Sequence, residues 1–314
     1  MIELTALTKV YGEKIAVDHL TFSVRPGIVT GFLGPNGVGK STTMRMIVGL
    51  DAPTSGRVII NGVPYAELKA PLREVGALLE AKAVHTSRSA ANHLLSLAAT
   101  HAFSRTRVDE VIEMVGLQDV AGKRAGGFSL GMGQRLGIAA ALLGDPAMVM
   151  LDEPVNGLDP EGIRWVRDLL RDLAAEGRTV FVSSRLMSEM ALTADHLIVV
   201  GRGRLLADMS MTEFIEVNST ASVPVVSPRA GELSTLLAGP EVRVSSDAAG
   251  ALDVTGLTAA EIGDRASVAG IALHELTSTR ASLEEAFMAM TGDSVEYHGS
   301  TAHDTDQLTQ KDAA

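Results

Sequence analysis

Gly34-Pro35-Asn36-Gly37-Val38-Gly39-Lys40-Ser41 is the stretch that decides the fold. It fits the spacing G-x-x-x-x-G-K-[ST], with a β-rich run at 28–33 before it and a helix-like segment at 42–48 after it, the setting in which such a loop holds phosphate. Its glycines let backbone N–H groups converge on phosphate oxygens, and the following helix adds the positive end of its dipole. Lys40 neutralises β/γ charge and Ser41 can ligate Mg²⁺. Gly34, Asn36, Gly37, Gly39, Lys40, Ser41 and Thr42 are therefore the candidate nucleotide-binding residues.

Downstream, Met148-Val149-Met150-Leu151-Asp152-Glu153 reads as a buried strand of four apolar residues that delivers two carboxylates at its C-terminal end. Asp152 is placed to hold Mg²⁺ through water and Glu153 to polarise the water that attacks a γ-phosphate. An acidic strand end alone would be only a solvated terminus. With the phosphate loop upstream, the chemical reading is the stronger one.

Working outward, β-rich runs at 28–33, 148–151 and 179–183 alternate with helix-like segments, which predicts a parallel sheet covered on both faces. Between about 81 and 144 the pattern turns helical. The spacing of Val108, Val111, Ile112 and Val115 suggests an inserted helical subdomain there. The expected layout is an α/β ATP-binding domain over 1–216, a Ser/Thr/Pro-rich linker over 217–228 and a small α+β domain over 229–291. Within the last, strands are expected at 241–244, 251–254 and 271–276, with helices at 231–237, 259–269 and 283–290. The last helix has Leu283, Phe287 and Met290 on one face. Residues 292–314 are polar and aperiodic and read as a mobile tail.

Lys and Arg total 27 against 38 Asp and Glu, a formal net charge of -11. That excess repels phosphate backbones and no basic patch opposes it, so nucleic acid is not an expected partner. Cysteine is absent, which removes disulfides, thiol catalysis and thiolate metal sites. Met1-Ile2-Glu3-Leu4 runs into a strand-like pattern without the basic and apolar regions of a signal peptide. No stretch approaches the ~20 consecutive apolar residues that cross a bilayer.

Between the two motifs lies Phe128-Ser129-Leu130-Gly131-Met132-Gly133-Gln134-Arg135, opening a helix. This segment resembles the signature motif of the ABC ATPases, and the order of phosphate loop, signature and acidic strand is that of the family. Leu130 and Met132 replace the usual Gly and Gln, while Ser129 and Gly131 remain. The resemblance implies a P-loop ABC ATPase domain that binds ATP and Mg²⁺ and closes head to tail, as a homodimer or pseudo-dimer. Ser129 and Gly131 would meet the nucleotide of the second subunit. It also implies that Tyr11 stacks on adenine and that Asp159, in Asn156-Gly157-Leu158-Asp159, reaches across the dimer; Asp159 before Pro160 also suits a helix N-cap.

Two positions depart from the family pattern. Glu80 stands where the family has the glutamine that touches Mg²⁺ and links ATP to the membrane partner; a carboxylate still ligates Mg²⁺. Arg185, in Val182-Ser183-Ser184-Arg185, stands at the usual histidine beside the γ-phosphate and is grouped with Glu153 as catalytic. Arginine binds phosphoryl charge but cannot take over a neutral imidazole's hydrogen bonding, which predicts reduced turnover. Glu at the first position and Ser-Leu-Gly-Met in the signature look like the branch that includes bacterial antibiotic and multidrug exporters, which tends to carry a C-terminal extension. The expectation is an ATPase subunit at the cytoplasmic face of a membrane, working with a separate integral-membrane permease. The alternatives are a regulatory subunit with impaired hydrolysis and a soluble ABC protein outside transport. The C-terminal domain is expected to control dimer closure or to meet the permease.

Overall fold

The computed structural model describes residues 1–80, 84–218, 221–246, 251–277, 279–280 and 283–291. Strands β1 (Ile2–Tyr11) and β2 (Lys14–Val24) form an antiparallel pair. Next come β3 (Val29–Leu33), α1 (Lys40–Ile47) and β4 (Ser55–Ile60), the last pairing with β1 to complete a sheet of order β2-β1-β4. A short α2 (Pro71–Glu74) leads into β5 (Val75–Leu78). Then follow α3 (Ala90–Thr100), α4 (Arg105–Met114) and α5 (Leu130–Leu142), the helices of the stretch expected to be a helical subdomain.

Each of the three begins at a serine: Ser89, Ser104 and Ser129 accept a hydrogen bond from the backbone N–H three residues on. These side chains satisfy N–H groups that a helix start leaves without partners. On α4, Val108, Val111 and Ile112 are buried, followed by Val115, as the helical spacing predicts.

The chain continues through β6 (Met148–Asp152), α6 (Pro160–Ala175), β7 (Thr179–Ser184), α7 (Met187–Ala191), β8 (His196–Gly201) and β9 (Arg204–Ser210). The second sheet runs β5-β6-β7-β3-β8-β9, and the pairs β5/β6, β6/β7, β7/β3 and β3/β8 are parallel. Every residue of β3 and β7 is buried, as are the first four of β6. That is the pattern of parallel strands covered on both faces.

One apolar cluster joins the two sheets across α1. It takes Leu7, Val17 and Phe22 from the antiparallel sheet, Met44 and Ile47 from α1, and Phe32, Met150 and Phe181 from the parallel one. The rings of Phe22, Phe32 and Phe181 have centroids 5.1 to 6.1 Å apart. This core fixes α1, and with it the phosphate loop, against the ends of β3 and β6. Among the described residues no helix is long and apolar enough to cross a membrane.

Two compact units emerge, one over Met1–Asp208 and one over Met209–Met290. The second comprises α8 (Met211–Asn218), β10 (Ala221–Val226), α9 (Ala230–Leu237), β11 (Arg243–Ser246), β12 (Leu252–Thr255), α10 (Ala259–Val268), β13 (Glu275–Leu276), β14 (Thr279–Arg280) and α11 (Leu283–Thr291). Its antiparallel sheet has the order β11-β12-β10-β13, with β14 also on β10. The linker expected over 217–228 is therefore corrected: it contains β10, an interior strand. Val223 and Val225 alternate into a core with Leu233, Leu237, Val254 and Ile262 despite Pro224 between them.

Strand 271–276 is likewise shortened to β13. The Ile271 N–H bonds back to Ala266 O as α10 ends, and pairing with β10 starts only at His274, whose N–H donates to Val226 O. The strand expected at 241–244 begins at Arg243 instead, because the Val242 N–H closes a turn onto Gly239 O. On α11, Phe287 is buried and Leu283 and Met290 are half-buried. The expected tail, 292–314, lies outside the described residues.

Candidate functional site

Gly39 is the N-cap of α1 at φ 97°, and a Cβ there would fall 2.3 Å from Ala16 O, so only glycine fits. α1 then starts at Lys40 with no acidic residue in its first turn, leaving its N-terminal amides to an anionic ligand. The Lys40 side chain folds back over the loop. It is 6% exposed and donates through Nζ to Gly34 O at 2.6 Å and Pro35 O at 3.1 Å. Burial pushes its pKa below the usual lysine range, while the nearby carboxylates of Glu153 and Asp152 pull it back up. Asn36, Gly37, Gly39, Lys40, Ser41, Thr42 and Glu153 line a cavity of about 160 Å³.

The parallel register sets the carboxylates beside this loop. Asp152 ends β6 opposite Ser183 of β7, and its Oδ2 accepts from Ser41 Oγ at 2.6 Å. Its Oδ1 accepts from Ser183 Oγ. The Ser183 Oγ also accepts the Glu153 N–H at 2.9 Å, so one buried hydroxyl ties both acidic residues together. Glu153 adopts φ 47°. Its Oε2 accepts from Asn156 Nδ2 and, at 2.7 Å, from an Arg185 guanidinium nitrogen. Ser41, Leu79, Glu80, Leu130, Gln134, Asp152, Glu153 and Asn156 surround an open cleft of about 460 Å³.

The expected phosphate-loop residues, Asp152, Glu153, Glu80 and Arg185 are thus brought together. Ser129 and Gly131 lie at the start of α5; Ser129 caps the helix by accepting from the Met132 N–H at 3.2 Å and faces a separate cavity of about 470 Å³ with Phe128 and Leu130. Asp159 caps α6, accepting from the Gly162 N–H at 2.8 Å. Tyr11 is 49% exposed on the antiparallel sheet. Its hydroxyl donates to Asp51 Oδ2 at 3.3 Å, and Lys9 Nζ lies 4.9 Å from its ring centroid. Desolvation and then the Asp51 charge raise its pKa, against opposing effects of Arg45 and Thr42.

Ser183, Asn156 and Gln134 were not among the sequence-derived candidates. Ser183 has a signal, lying two residues before the departing arginine at the end of a buried strand. Asn156 and Gln134 stand inside motifs read for other residues.

The cradle fits ATP: a glycine-built loop, a buried ammonium and a helix start. Mg²⁺ fits as well, since Ser41 Oγ and Asp152 Oδ2 are hard oxygens set side by side. Among the described residues no group of three or more His, Cys, Asp or Glu could hold a metal, and Mg²⁺ needs none, being bound by one or two carboxylates with substrate phosphates and water.

The family model described as ABC transporter matches residues 17–156, and a domain of unknown function matches 221–284. The chain is 44% identical over 214 residues to the bacitracin transport ATP-binding protein of Bacillus licheniformis, covering 67% of this chain and 69% of that one. It is 36% identical over 309 residues to an uncharacterized ABC transporter ATP-binding protein of Bacillus subtilis, covering 94% and 97%. Among solved structures, the dimeric post-hydrolysis state of an ATP-binding cassette bound to ADP and Pi matches with a TM-score of 0.62 and 25% identity, over 67% of this chain and 99% of that one. With the phosphate loop and the acidic strand end joined in one site, these likenesses establish that the chain belongs to the ABC transporter family as one of its ATP-binding proteins.

Proposed function

We propose that this chain is the ATP-hydrolysing subunit of an exporter, that it works at the cytoplasmic face of the membrane, and that its cargo is an antibiotic peptide or similar amphiphile. The carrying observation is the hydrogen bond from Ser41 to Asp152, which joins the phosphate loop to the acidic strand end beside a buried Lys40. The cargo class rests on the bacitracin transport relative, which is 44% identical over 214 residues.

ATP hydrolysis adds water at the γ-phosphorus and breaks its bond to the bridging oxygen, releasing ADP, inorganic phosphate and a proton. Lys40 opposes the charge on the β- and γ-phosphates; Ser41 and Asp152, with Glu80 across the cleft, would hold Mg²⁺, whose charge would offset that of the phosphate oxygens. Glu153 accepts a hydrogen bond from the attacking water and orients it. Tyr11 stacks on adenine, and Ser129, Gly131 and Asp159 serve the nucleotide of a second ATP-binding subunit. Dimer closure moves a separate permease, and the unit over Met209–Met290 modulates that closure or the permease contact.

One observation favours a second reading, a regulatory subunit that binds ATP but turns it over slowly: Arg185 takes up the Glu153 carboxylate. Expressing the chain together with its membrane permease tests the exporter reading. Cells should gain resistance to bacitracin or a related peptide, and Lys40→Ala should remove it. Resistance that survives Lys40→Ala, or that never arises, contradicts the assignment.

A further inference from the structure

Glu153 holds a left-handed backbone at φ 47°, a conformation that a non-glycine residue keeps only where its surroundings over-determine it. Those surroundings are two side chains from different elements. On the amide side, the wholly buried Ser183 of β7 accepts the Glu153 N–H at 2.9 Å. On the carbonyl side, Gln134 Nε2 donates to Glu153 O at 3.3 Å, and the Asn156 N–H donates to the same oxygen at 3.2 Å.

Gln134 is 2% exposed and sits on the second turn of α5, the helix whose first residues carry the signature. A buried carboxamide needs a hydrogen-bond partner, and this one finds it on the backbone of a residue 19 positions away. One turn earlier on the same helix, Leu130 lies so close over Gly157 that a Cβ there would fall 2.1 Å from Leu130 Cδ2. Residues four apart share a helix face, so α5 bears on both ends of the segment 153–157.

We propose that Gln134 is a positioning residue that ties the signature helix to Glu153 of its own subunit, so that a shift of α5 on nucleotide engagement is passed to the catalytic carboxylate. The inference rests on the reading of Glu153 as the water-orienting residue. Gln134 reaches the carboxylate only through the Glu153 backbone, so its loss should disturb aim rather than affinity.

The test is a double-mutant cycle in the full chain. Gln134→Met keeps side-chain length and removes the donor; kcat should fall on the order of tenfold while KM and the ATP Kd stay within about twofold. In a Glu153→Gln background the same change should add no further loss, because the group through which Gln134 acts is already gone. Unchanged kcat overturns the proposal. So does an equal loss in both backgrounds, or a parallel loss of ATP affinity, either of which marks Gln134 as packing alone. If Gln134→Met does not fold, Gln134→Leu, smaller and equally without a donor, gives the same reading. Should Glu153→Gln itself hydrolyse ATP at the parent rate, the role of Glu153 fails, an outcome distinct from failure of the Gln134 link.

Discussion

The Arg185 guanidinium donates to Glu153 Oε2 at 2.7 Å across the ends of β7 and β6. Asn156 Nδ2 bonds to the same oxygen, so the carboxylate proposed to orient water is already engaged by a permanent cation. With a side chain 44% exposed, Arg185 is held in solvent reach and the pair adds little to stability. Its effect falls on chemistry. Arg185→His should raise ATP turnover by about tenfold, roughly 1.4 kcal/mol of barrier, with ATP affinity nearly unchanged. The measurement is steady-state hydrolysis with the permease present; a fall in turnover would instead make Arg185 a working phosphate ligand, as an arginine finger is.

Lys40→Ala removes the buried ammonium and leaves Gly34 O and Pro35 O without their donor. Tight Mg-ATP binding should be lost, by about a hundredfold or more in Kd, since a charge-assisted contact in a desolvated site is worth ~3 kcal/mol. Equilibrium binding of a labelled ATP analogue checks this, and unchanged affinity refutes the placement of the phosphates.

Much of the site could be read from the chain because its parts are local. Gly39 and Lys40 are neighbours whose backbone demands follow from spacing alone, and Asp152 and Glu153 follow directly on a short apolar run that reads as a buried strand. The Arg185 to Glu153 contact was not legible, because it depends on β6 and β7 lying side by side. The Gln134 to Glu153 contact depends likewise on the way α5 packs. In the second unit, β10 was hidden by composition. Pro224 and the flanking Ser and Thr suggest a linker, while the pairing with β12 and β13 that makes a strand of them is set by residues up to about fifty positions away.

His93 on α3 gives a prediction for pH. It is 8% exposed with Nδ1 unbonded among the described residues, and burial, then Arg88 and His85, hold its pKa below the ordinary histidine value. As pH falls through about 6.5 the unfolded chain takes up a proton there that the folded chain refuses until lower pH, so stability drops with pH across that window. The Tm of the parent should fall more between pH 7 and 5 than that of His93→Leu. Parallel pH profiles would show that His93 does not contribute.

The central claim, that Glu153 orients the attacking water in a nucleotide site built by the phosphate loop, is tested most directly by measuring ATP affinity and ATP turnover side by side for Glu153→Gln. The carboxamide keeps the shape and loses the base, so ATP should bind within about twofold of the parent while hydrolysis falls on the order of a hundredfold or more. Hydrolysis at the parent rate would contradict the account.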